Sequence, residues 1–230
     1  MRNRLSQRLK TSHLLREDDL DALDDLQPQV RLHPARQTIL PAGATPSTVM
    51  WIEHGWACRS RRLASGANAI FNFVLPGEFI DPAVLVGRET DHAVVALTDV
   101  RALEAPVAAV KQVMEQRPRV GEAIIYGAVE DGARLRDQIT HLGRAAALQR
   151  IAALFDSLAR RQRVASGQPV THLDAAFSHD VIADATGLSR VHVSRTLKQL
   201  RDMGLVDLEE RRWRIVDAER LALVSAGAAA

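Results

Sequence analysis

Two arginines in a segment of helical periodicity, Arg190 and Arg195, are the residues whose type and spacing suggest chemistry most directly. Apolar residues recur every three or four positions here, so one helix face would be buried and the other would face outward. Arginine donates two hydrogen bonds to O6 and N7 of guanine, and valine contacts the methyl group of thymine. The outward face therefore places base-reading residue types side by side: Arg190, Val191, Ser194 and Arg195.

Two short helices joined by a tight turn would position this face. Ser178 is a good N-cap for a helix over His179–Thr186, Gly187 suits the turn, and Ser189 can cap a second helix over Arg190–Asp202. Two helices joined by a short turn containing glycine form a helix-turn-helix. The second helix of this motif lies in the major groove of DNA. The pattern therefore predicts DNA binding.

A predicted hairpin follows the second helix. Two short apolar runs, 205–208 and 213–216, flank the polar segment 209–212, which is typical of the wing of a winged helix-turn-helix. Its candidate phosphate contacts, which would position the protein without specifying sequence, are Arg211, Arg212 and Arg214. The alternative is a winged helix that contacts proteins, with arginines that are merely solvated.

The N-terminal half has a different pattern. A helical segment is predicted over 5–26, with an acidic run from Glu17 to Asp25 on a solvated face. Between 30 and 105, short runs with period-two alternation are separated by turn signals, which favours an antiparallel β sandwich or barrel. These runs are 38–40, 49–62, 69–75 and 93–103. The expected fold class is α+β.

A long helix is predicted over 118–142, followed by an amphipathic helix over 145–163. A heptad-like stripe along the long helix is of the kind that pairs two helices, and the alternative is packing within one subunit. The residues of this stripe are Ile124, Ala128, Asp131, Leu135, Gln138 and Leu142.

The stretch 177–197 (FSHDVIADATGLSRVHVSRTL) resembles the DNA-binding signature of the CRP/FNR regulators, and 76–80 (PGEFI) resembles the turn that opens that family's phosphate-binding cassette. The upstream order of elements matches as well. The resemblance implies a jelly-roll-like β-roll sensor domain over 1–117, a dimerisation helix over 118–142 and a winged helix-turn-helix domain over 143–230. It also implies a homodimer on a pseudo-palindromic site with half-sites about 10 bp apart, and RNA polymerase as a partner.

The resemblance assigns guanine reading to Arg190 and Arg195. Val191 departs from the glutamate of the best-known members, and the pattern Arg-Val-x-x-Ser-Arg instead resembles the cyanobacterial nitrogen-control regulators. Because valine cannot accept a hydrogen bond from cytosine N4, we predict a half-site read as guanine plus a thymine methyl group. With the contacts that the resemblance adds, the predicted phosphate-binding residues are Ser178, His179, Ser189, His192, Lys198, Arg201, Arg211, Arg212 and Arg214.

Members of the family that bind cyclic nucleotides use an arginine followed by a small hydroxyl residue, and that slot falls here on Thr90 or Asp91. An acidic residue repels the cyclic phosphate, and the bidentate guanidinium is missing. The hydroxyl pair that reads adenine falls on Leu135 and Arg136. We expect an effector other than cyclic AMP, or none, with a cyclic-nucleotide-responsive regulator as the alternative. The candidate effector pocket comprises Arg59, Gly77, Glu78, Arg88, Asp91, His92, Asp131 and Leu135.

The single cysteine, Cys58, excludes an intrachain disulfide and argues against an iron–sulfur cluster. It is expected to be a buried strand residue, with a redox-sensing thiol beside Arg59 and Arg61 as the alternative. No metal site is predicted, although His54 and His92 leave haem open. No nucleophile–base motif or phosphate loop indicates an enzyme. The 230-residue chain has a net charge of +2, no signal-peptide pattern and no apolar stretch of about 18 residues, so a cytoplasmic protein is expected.

Overall fold

The chain forms two compact units in a computed structural model that describes residues 2–175 and 177–228. The first unit comprises residues 1–60 and 73–133, and the second comprises residues 61–72 and 134–230. The three-part division into 1–117, 118–142 and 143–230 stays a prediction. Within the described residues, no helix is long and apolar enough to cross a membrane.

The first unit contains strands of two antiparallel sheets. The strands are β1 (Gln29–His33), β2 (Thr38–Leu40), β3 (Thr48–His54), β4 (Ala57–Arg62), β5 (Asn68–Val74), β6 (Ala93–Ala96) and β7 (Val100–Pro106). One sheet has the strand order β1-β7-β3, and the other has the order β2-β6-β4-β5. The outer ends of β4 and β5, with the turn between them, belong to the second unit. The helices here are α1 (Arg4–Lys10), α2 (Glu17–Asp24), α3 (Val107–Gln116), the 3₁₀ helix Pro82–Val86 and the start of α4 (Pro118–Arg144).

Alternation along the strands divides the core of the first unit into two clusters. Trp51 on β3 packs in a cluster that includes Leu5 of α1 and Val110 of α3. The next residue, Ile52, points the other way and packs in a cluster with Val94 and other side chains from both sheets. Period-two alternation places successive side chains on opposite faces of a sheet. The period-two alternation in the sequence therefore corresponds to these two clusters of the core.

The predicted run 49–62 is two strands, because Gly55 turns the chain between β3 and β4. Gly55 has a φ of +86°, and a Cβ at this position would lie 2.1 Å from the backbone oxygen of Asp99. The run 93–103 is likewise divided, into β6 and β7. The prediction of one continuous run in each case was wrong. The turn between β3 and β4 is set by the close approach of Gly55 to Asp99, and these two residues are far apart in the sequence.

The prediction of one helix over 5–26 was also wrong, because the chain turns between α1 and α2. The hydroxyls of Thr11 and Ser12 each donate to a carbonyl oxygen near the end of α1 at 2.7 Å, and His13 has a φ of +60°. Such side-chain bonds compete with the regular backbone pattern. They end α1 although the leucine spacing continues.

The acidic residues of α2 are not simply solvated. Asp19 is fully buried, and its carboxylate accepts hydrogen bonds from Arg119 at the start of α4, at 2.8 and 3.3 Å. The Arg119 guanidinium lowers the pKa of the Asp19 carboxyl below its usual value. Nearby, Arg117 pairs with the more exposed Asp18 at 3.0 Å. The acidic helix therefore anchors the beginning of α4.

The second unit contains the end of α4, the hairpin of β8 (Val206–Glu209) and β9 (Arg212–Ile215), and the helices α5 (Ala147–Ser166), α6 (His179–Thr186), α7 (Arg190–Asp202) and α8 (Ala218–Ser225). Phe155 of α5 packs against Trp213 of β9, with ring centroids 5.3 Å apart. Helix α8 was not predicted, although Asp217 caps it. The predicted α+β class is confirmed: an antiparallel β-roll, a long helix and a winged helix-turn-helix follow one another along the chain.

Candidate nucleic-acid interface

Both helices of the helix-turn-helix begin at capped residues. Oγ of Ser178 accepts a hydrogen bond from the Val181 N–H at 3.3 Å, and Oγ of Ser189 accepts one from the His192 N–H at 3.3 Å. Gly187 ends α6 with a φ of +65°, the left-handed region that favours glycine. These three local features fix where α7 starts relative to α6.

The inner face of α7 is packed into the core of the second unit. Val193, Leu197 and Leu200 are all buried. Fully burying an aliphatic side chain of this size contributes roughly 1.5–3 kcal/mol. The indole N–H of Trp213 also donates to the carbonyl oxygen of Phe177 at 3.2 Å, which joins β9 to the start of the motif. The helix is therefore held in place by both packing and hydrogen bonding.

The outer face of α7 is open to solvent and carries positive charge. Val191 is 68% exposed, so its apolar side chain is open to contact by a partner. The exposed residues of this face include every predicted base reader: Arg190, Val191, His192, Ser194, Arg195, Lys198 and Arg201. The arrangement offers guanidinium donors, a hydroxyl and a methyl surface on one helix.

Two cations of α7 are paired with carboxylates. Nε of Arg190 lies 3.0 Å from Oδ1 of Asp180 on α6, and Nε of Arg201 lies 3.3 Å from Oδ1 of Asp207 on β8. The pKa of Asp207 is lowered by a hydrogen bond from the Leu208 N–H and by the charge of Arg201. Among the residues that the structure describes, Arg195 forms no ion pair.

The wing is a tight hairpin. Its turn places Glu210 and Arg211 at φ values of +47° and +67°, a conformation required by the short turns that match the twist of paired strands. Arg214 is directed toward carboxylates, with Nε 2.9 Å from Oε1 of Glu209. Arg211 and Arg212 are exposed. The wing therefore presents two of its three predicted phosphate contacts without a carboxylate partner among the described residues.

Arg59 is a buried residue of the predicted effector pocket, with 8% exposure. Its guanidinium donates from Nη2 to the carbonyl oxygen of Phe79 at 2.8 Å and from Nε to that of Ile80 at 3.0 Å. Nη1 donates to Oδ2 of Asp131 on α4 at 3.1 Å. Donors on both edges of this guanidinium are therefore bound by the chain itself.

Gly77 and Glu78 face the N-terminal helix. A Cβ on Gly77 would lie 2.5 Å from the backbone oxygen of Arg4, so the turn lies against α1. Glu78 accepts a hydrogen bond from the Leu75 N–H at 3.1 Å. Arg88 is exposed. Gly77 and Glu78 thus lie in a turn next to α1, while Arg88 is open to solvent.

The slot where cyclic-nucleotide binders carry arginine is filled differently. The hydroxyl of Thr90 is buried and donates to the carbonyl oxygen of Pro41 at 3.0 Å. Nδ1 of His92 lies 2.8 Å from Asp91, and its Nε2 lies 4.0 Å from the buried Asp81. Sequence reasoning missed Asp81, although an aspartate before a proline is typical of a helix cap, and Asp81 caps the 3₁₀ helix.

Within the first unit, the residues of the predicted stripe on α4 differ in their burial and in their partners. Ile124 is buried in the core, and Asp131 is paired with Arg59. The exposed apolar residues lie one position further along, where Ile125 is 63% and Val129 is 60% exposed. Of the predicted stripe, Ile124 and Asp131 therefore face the first unit, whereas Ala128 and Leu142 are exposed.

The part of α4 in the second unit carries a polar link. The side-chain amide of Gln138 donates to the carbonyl oxygens of Ile70, near the β4–β5 turn, and Ala185, near the end of α6, both at 3.2 Å. Leu135, the last predicted pocket residue, is half-buried in this unit. Ile139 is 68% exposed. Both hydrogen bonds of the Gln138 side chain therefore lie within the second unit.

The remaining candidates are Cys58 and the histidines. Cys58 is a buried strand residue with 3% exposure. His54 is exposed at the end of β3, and His92 is held by Asp91. The described part of the chain contains no group of three or more His, Cys, Asp or Glu residues that could hold a metal ion. The site with the clearest chemistry is therefore the outer face of α7.

A β-roll, a long helix and a winged helix-turn-helix with exposed arginines define the class of DNA-binding transcription regulators. Residues 149–224 match the Crp-like helix-turn-helix domain, and residues 30–117 match the cyclic nucleotide-binding domain. These two matches occupy the regions in which the structure has the DNA-reading motif and the β-roll.

The transcriptional activator FnrL of Cereibacter sphaeroides is 26% identical over 215 residues, which cover 91% of this chain and 85% of FnrL. The global nitrogen regulator of Nostoc sp. is 28% identical over 133 residues, covering 56% of this chain and 59% of that protein. The solved structure of FixK2 from Bradyrhizobium japonicum is 21% identical with a TM-score of 0.75, covering 88% of this chain and 99% of FixK2. The chain belongs to the CRP/FNR family of transcription regulators, and members of this family are not enzymes.

Proposed function

We propose that the regulator binds a pseudo-palindromic DNA site as a homodimer and reads each half-site with Arg190, Val191, Ser194 and Arg195. The observation that carries this proposal is the capped, rigidly packed α7, whose outer face exposes all four residues. Helices of this kind place their first turns against base edges in the major groove.

The chemistry of the four residues defines the half-site. Each arginine can donate two hydrogen bonds to guanine, and Val191 provides an apolar surface for a thymine methyl group. No carboxylate stands at position 191, so cytosine N4 has no acceptor there. The pattern Arg-Val-x-x-Ser-Arg resembles that of the cyanobacterial nitrogen-control regulators, and the global nitrogen regulator of Nostoc sp. is among the relatives of this chain. The half-site is therefore read as guanine plus a thymine methyl group, and its sequence differs from the common words TGTGA and TTGAT.

Phosphate contacts surround this face. Ser178 and Ser189 use their oxygens as caps, and their hydroxyl hydrogens stay available to donate to phosphate oxygens. His179 and His192 lie in the first turns of α6 and α7, next to these caps. The cations that complete the set are Lys198, Arg201, Arg211, Arg212 and Arg214.

Helix α4 supplies the dimer interface in this proposal. Its exposed apolar residues are Ile125, Val129 and Ile139. Their separations are close to whole multiples of about 3.5 residues, the repeat of paired helices. Ala128 is exposed beside them and is small enough for a second backbone to approach. Ile124, Asp131 and Gln138 of the predicted stripe support α4 within the chain instead.

The effector is proposed not to be cyclic AMP. Arg59 is bound to Phe79, Ile80 and Asp131, and the arginine slot holds Thr90 and Asp91. The alternative, a cyclic-nucleotide-responsive regulator, is favoured by the match of residues 30–117 to the cyclic nucleotide-binding domain. Calorimetric titration with cyclic AMP and cyclic GMP separates the two, because only the alternative predicts saturable heat. We further propose that the protein acts in the cytoplasm, contacts RNA polymerase, and carries no iron–sulfur cluster.

The central test is a selection of bound sequences from random DNA, repeated at two salt concentrations. We expect a pseudo-palindrome with guanine and thymine in each half-site and an affinity that falls steeply with salt. Arg190→Ala combined with Arg195→Ala should abolish the sequence preference. Retained sequence preference in this double variant would remove α7 as the reading helix.

A further inference from the structure

Asp180 on α6 is an acidic residue paired with one of the predicted base readers. Its Oδ1 lies 3.0 Å from Nε of Arg190, across the turn of the helix-turn-helix, and both side chains are exposed. The motif brings the two residues together because Asp180 lies in the first turn of α6 and Arg190 begins α7. The pair is therefore built from the parts of the motif that meet DNA.

A guanidinium has five N–H donors arranged in a planar fork. A carboxylate at the Nε edge leaves the edge formed by Nη1 and Nη2 free, and two parallel donors there match O6 and N7 of guanine. A long arginine side chain otherwise loses its rotamer freedom when it binds. We propose that Asp180 is a positioning residue that fixes the Arg190 guanidinium for guanine. This inference rests on the proposed role of Arg190 as a base reader.

The same carboxylate opposes general DNA binding. The first helix of this motif crosses the phosphate backbone, so a negative charge in the first turn of α6 repels DNA of any sequence. Asp184 lies one turn further along α6, and the charge of Asp180 helps to raise the pKa of Asp184, although burial is the larger cause. Asp180 therefore lowers the affinity for unspecific DNA while it raises discrimination at one base pair.

Arg195 provides an internal comparison. It is exposed on the same face of α7, and it forms no ion pair within residues 2–175 and 177–228. Its guanidinium is therefore ordered only on binding. A change at Asp180 should alter discrimination at the base pair read by Arg190 and leave the base pair read by Arg195 unaffected.

The test compares Asp180→Asn, Asp180→Glu and the matched control Asp184→Asn in the full-length protein. Binding is measured to the selected site, to sites substituted at each base pair, and to unrelated DNA. Arg190→Ala and Arg195→Ala first identify the base pair that each arginine reads. For Asp180→Asn we expect discrimination at the Arg190 base pair to fall roughly 3- to 10-fold, the factor for ordering one long side chain, while unspecific affinity rises about 2- to 5-fold. Asp180→Glu should retain part of the discrimination.

The outcomes distinguish a failure of the inference about Asp180 from a failure of the proposed role of Arg190. If Arg190→Ala relaxes one base pair but Asp180→Asn does not, Asp180 has no positioning role and the proposed function stands. If Arg190→Ala relaxes no base pair, the proposed role of Arg190 itself is wrong. If Asp184→Asn relaxes the same base pair as Asp180→Asn, the effect is one of general charge, and the inference is overturned.

Discussion

Arg59 on β4 and Asp131 on α4 form an enclosed ion pair, with 3.1 Å between Nη1 and Oδ2. The same guanidinium binds two carbonyl oxygens of the turn after β5, so one side chain joins a strand, a turn and the long helix. In the first unit, this side chain therefore holds the strand, the turn and the long helix together.

Asp131→Ala should destabilise the protein, because it leaves the Arg59 charge enclosed without its carboxylate. Removing one partner of a buried pair costs several kcal/mol, and the partial exposure of Asp131 reduces this to about 2–3 kcal/mol. Urea unfolding measures the change. The double variant Arg59→Met with Asp131→Leu should recover part of the stability, and equal stability of Asp131→Ala and the wild type would contradict the assigned role.

Val191→Glu should change the DNA sequence that is bound. Glutamate accepts a hydrogen bond from cytosine N4, and a good specific contact discriminates by about 1–3 kcal/mol, which is roughly 5- to 150-fold. A selection with the variant is expected to return cytosine at the affected base pair. Val191→Ala is the matched control and should only weaken the preference for thymine. An unchanged selection with both variants would show that position 191 does not face a base.

Ile125→Glu combined with Val129→Glu should convert the dimer to a monomer. In a symmetric pair of helices the new charges would face one another, and the buried apolar area would be lost. Analytical ultracentrifugation measures the mass. The control is Val86→Glu, another exposed apolar residue of the first unit, which should leave the mass unchanged. A dimer that persists in the double variant would place the interface elsewhere.

The Asp19–Arg119 pair should make stability depend on acid. Because the pKa of Asp19 is lowered in the folded state, its contribution is present above the pKa of the unfolded chain and is lost as the pH falls through the folded value. Arg119→Met should therefore reduce the melting temperature at pH 7 by roughly 3–6 °C and flatten the decline below pH 4, approximately the usual range of aspartate. The control Arg117→Met removes the pair with exposed Asp18 and should change little.

Peroxide should leave DNA binding unchanged, because the Cys58 thiol is shielded from solvent. DNA binding by wild-type protein and by Cys58→Ser, measured before and after treatment, tests this. Loss of binding in the wild type alone would revive a redox-sensing role.

Local signals predicted the DNA-reading motif more accurately than the rest of the chain. The bounds of α6 and α7 follow from Ser178, Gly187 and Ser189, whose effects act within a few residues. By contrast, the turn at Gly55 depends on Asp99, which comes from another part of the sheet. Local periodicity cannot predict a contact between two segments that are far apart in the sequence.

The functional pairs were missed for the same reason. Asp180 lies inside the recognised signature, but only the angle between α6 and α7 brings it to Arg190. Arg59 and Asp131 were both named as residues of one pocket, but the sequence did not show that they pair directly with each other. On α4, Ile124 and Asp131 of the predicted stripe are held by contacts within the first unit, which the spacing alone did not reveal.

The amide of Gln138 has a consequence for local unfolding. It donates to Ile70 and to Ala185 at once, so the β4–β5 turn and the end of α6 share one bonding group. Segments that share such a bond open cooperatively, and their backbone amides exchange hydrogen at linked rates. Loosening of the turn is therefore expected to increase deuterium uptake around Ala185, although the two segments are far apart in the chain.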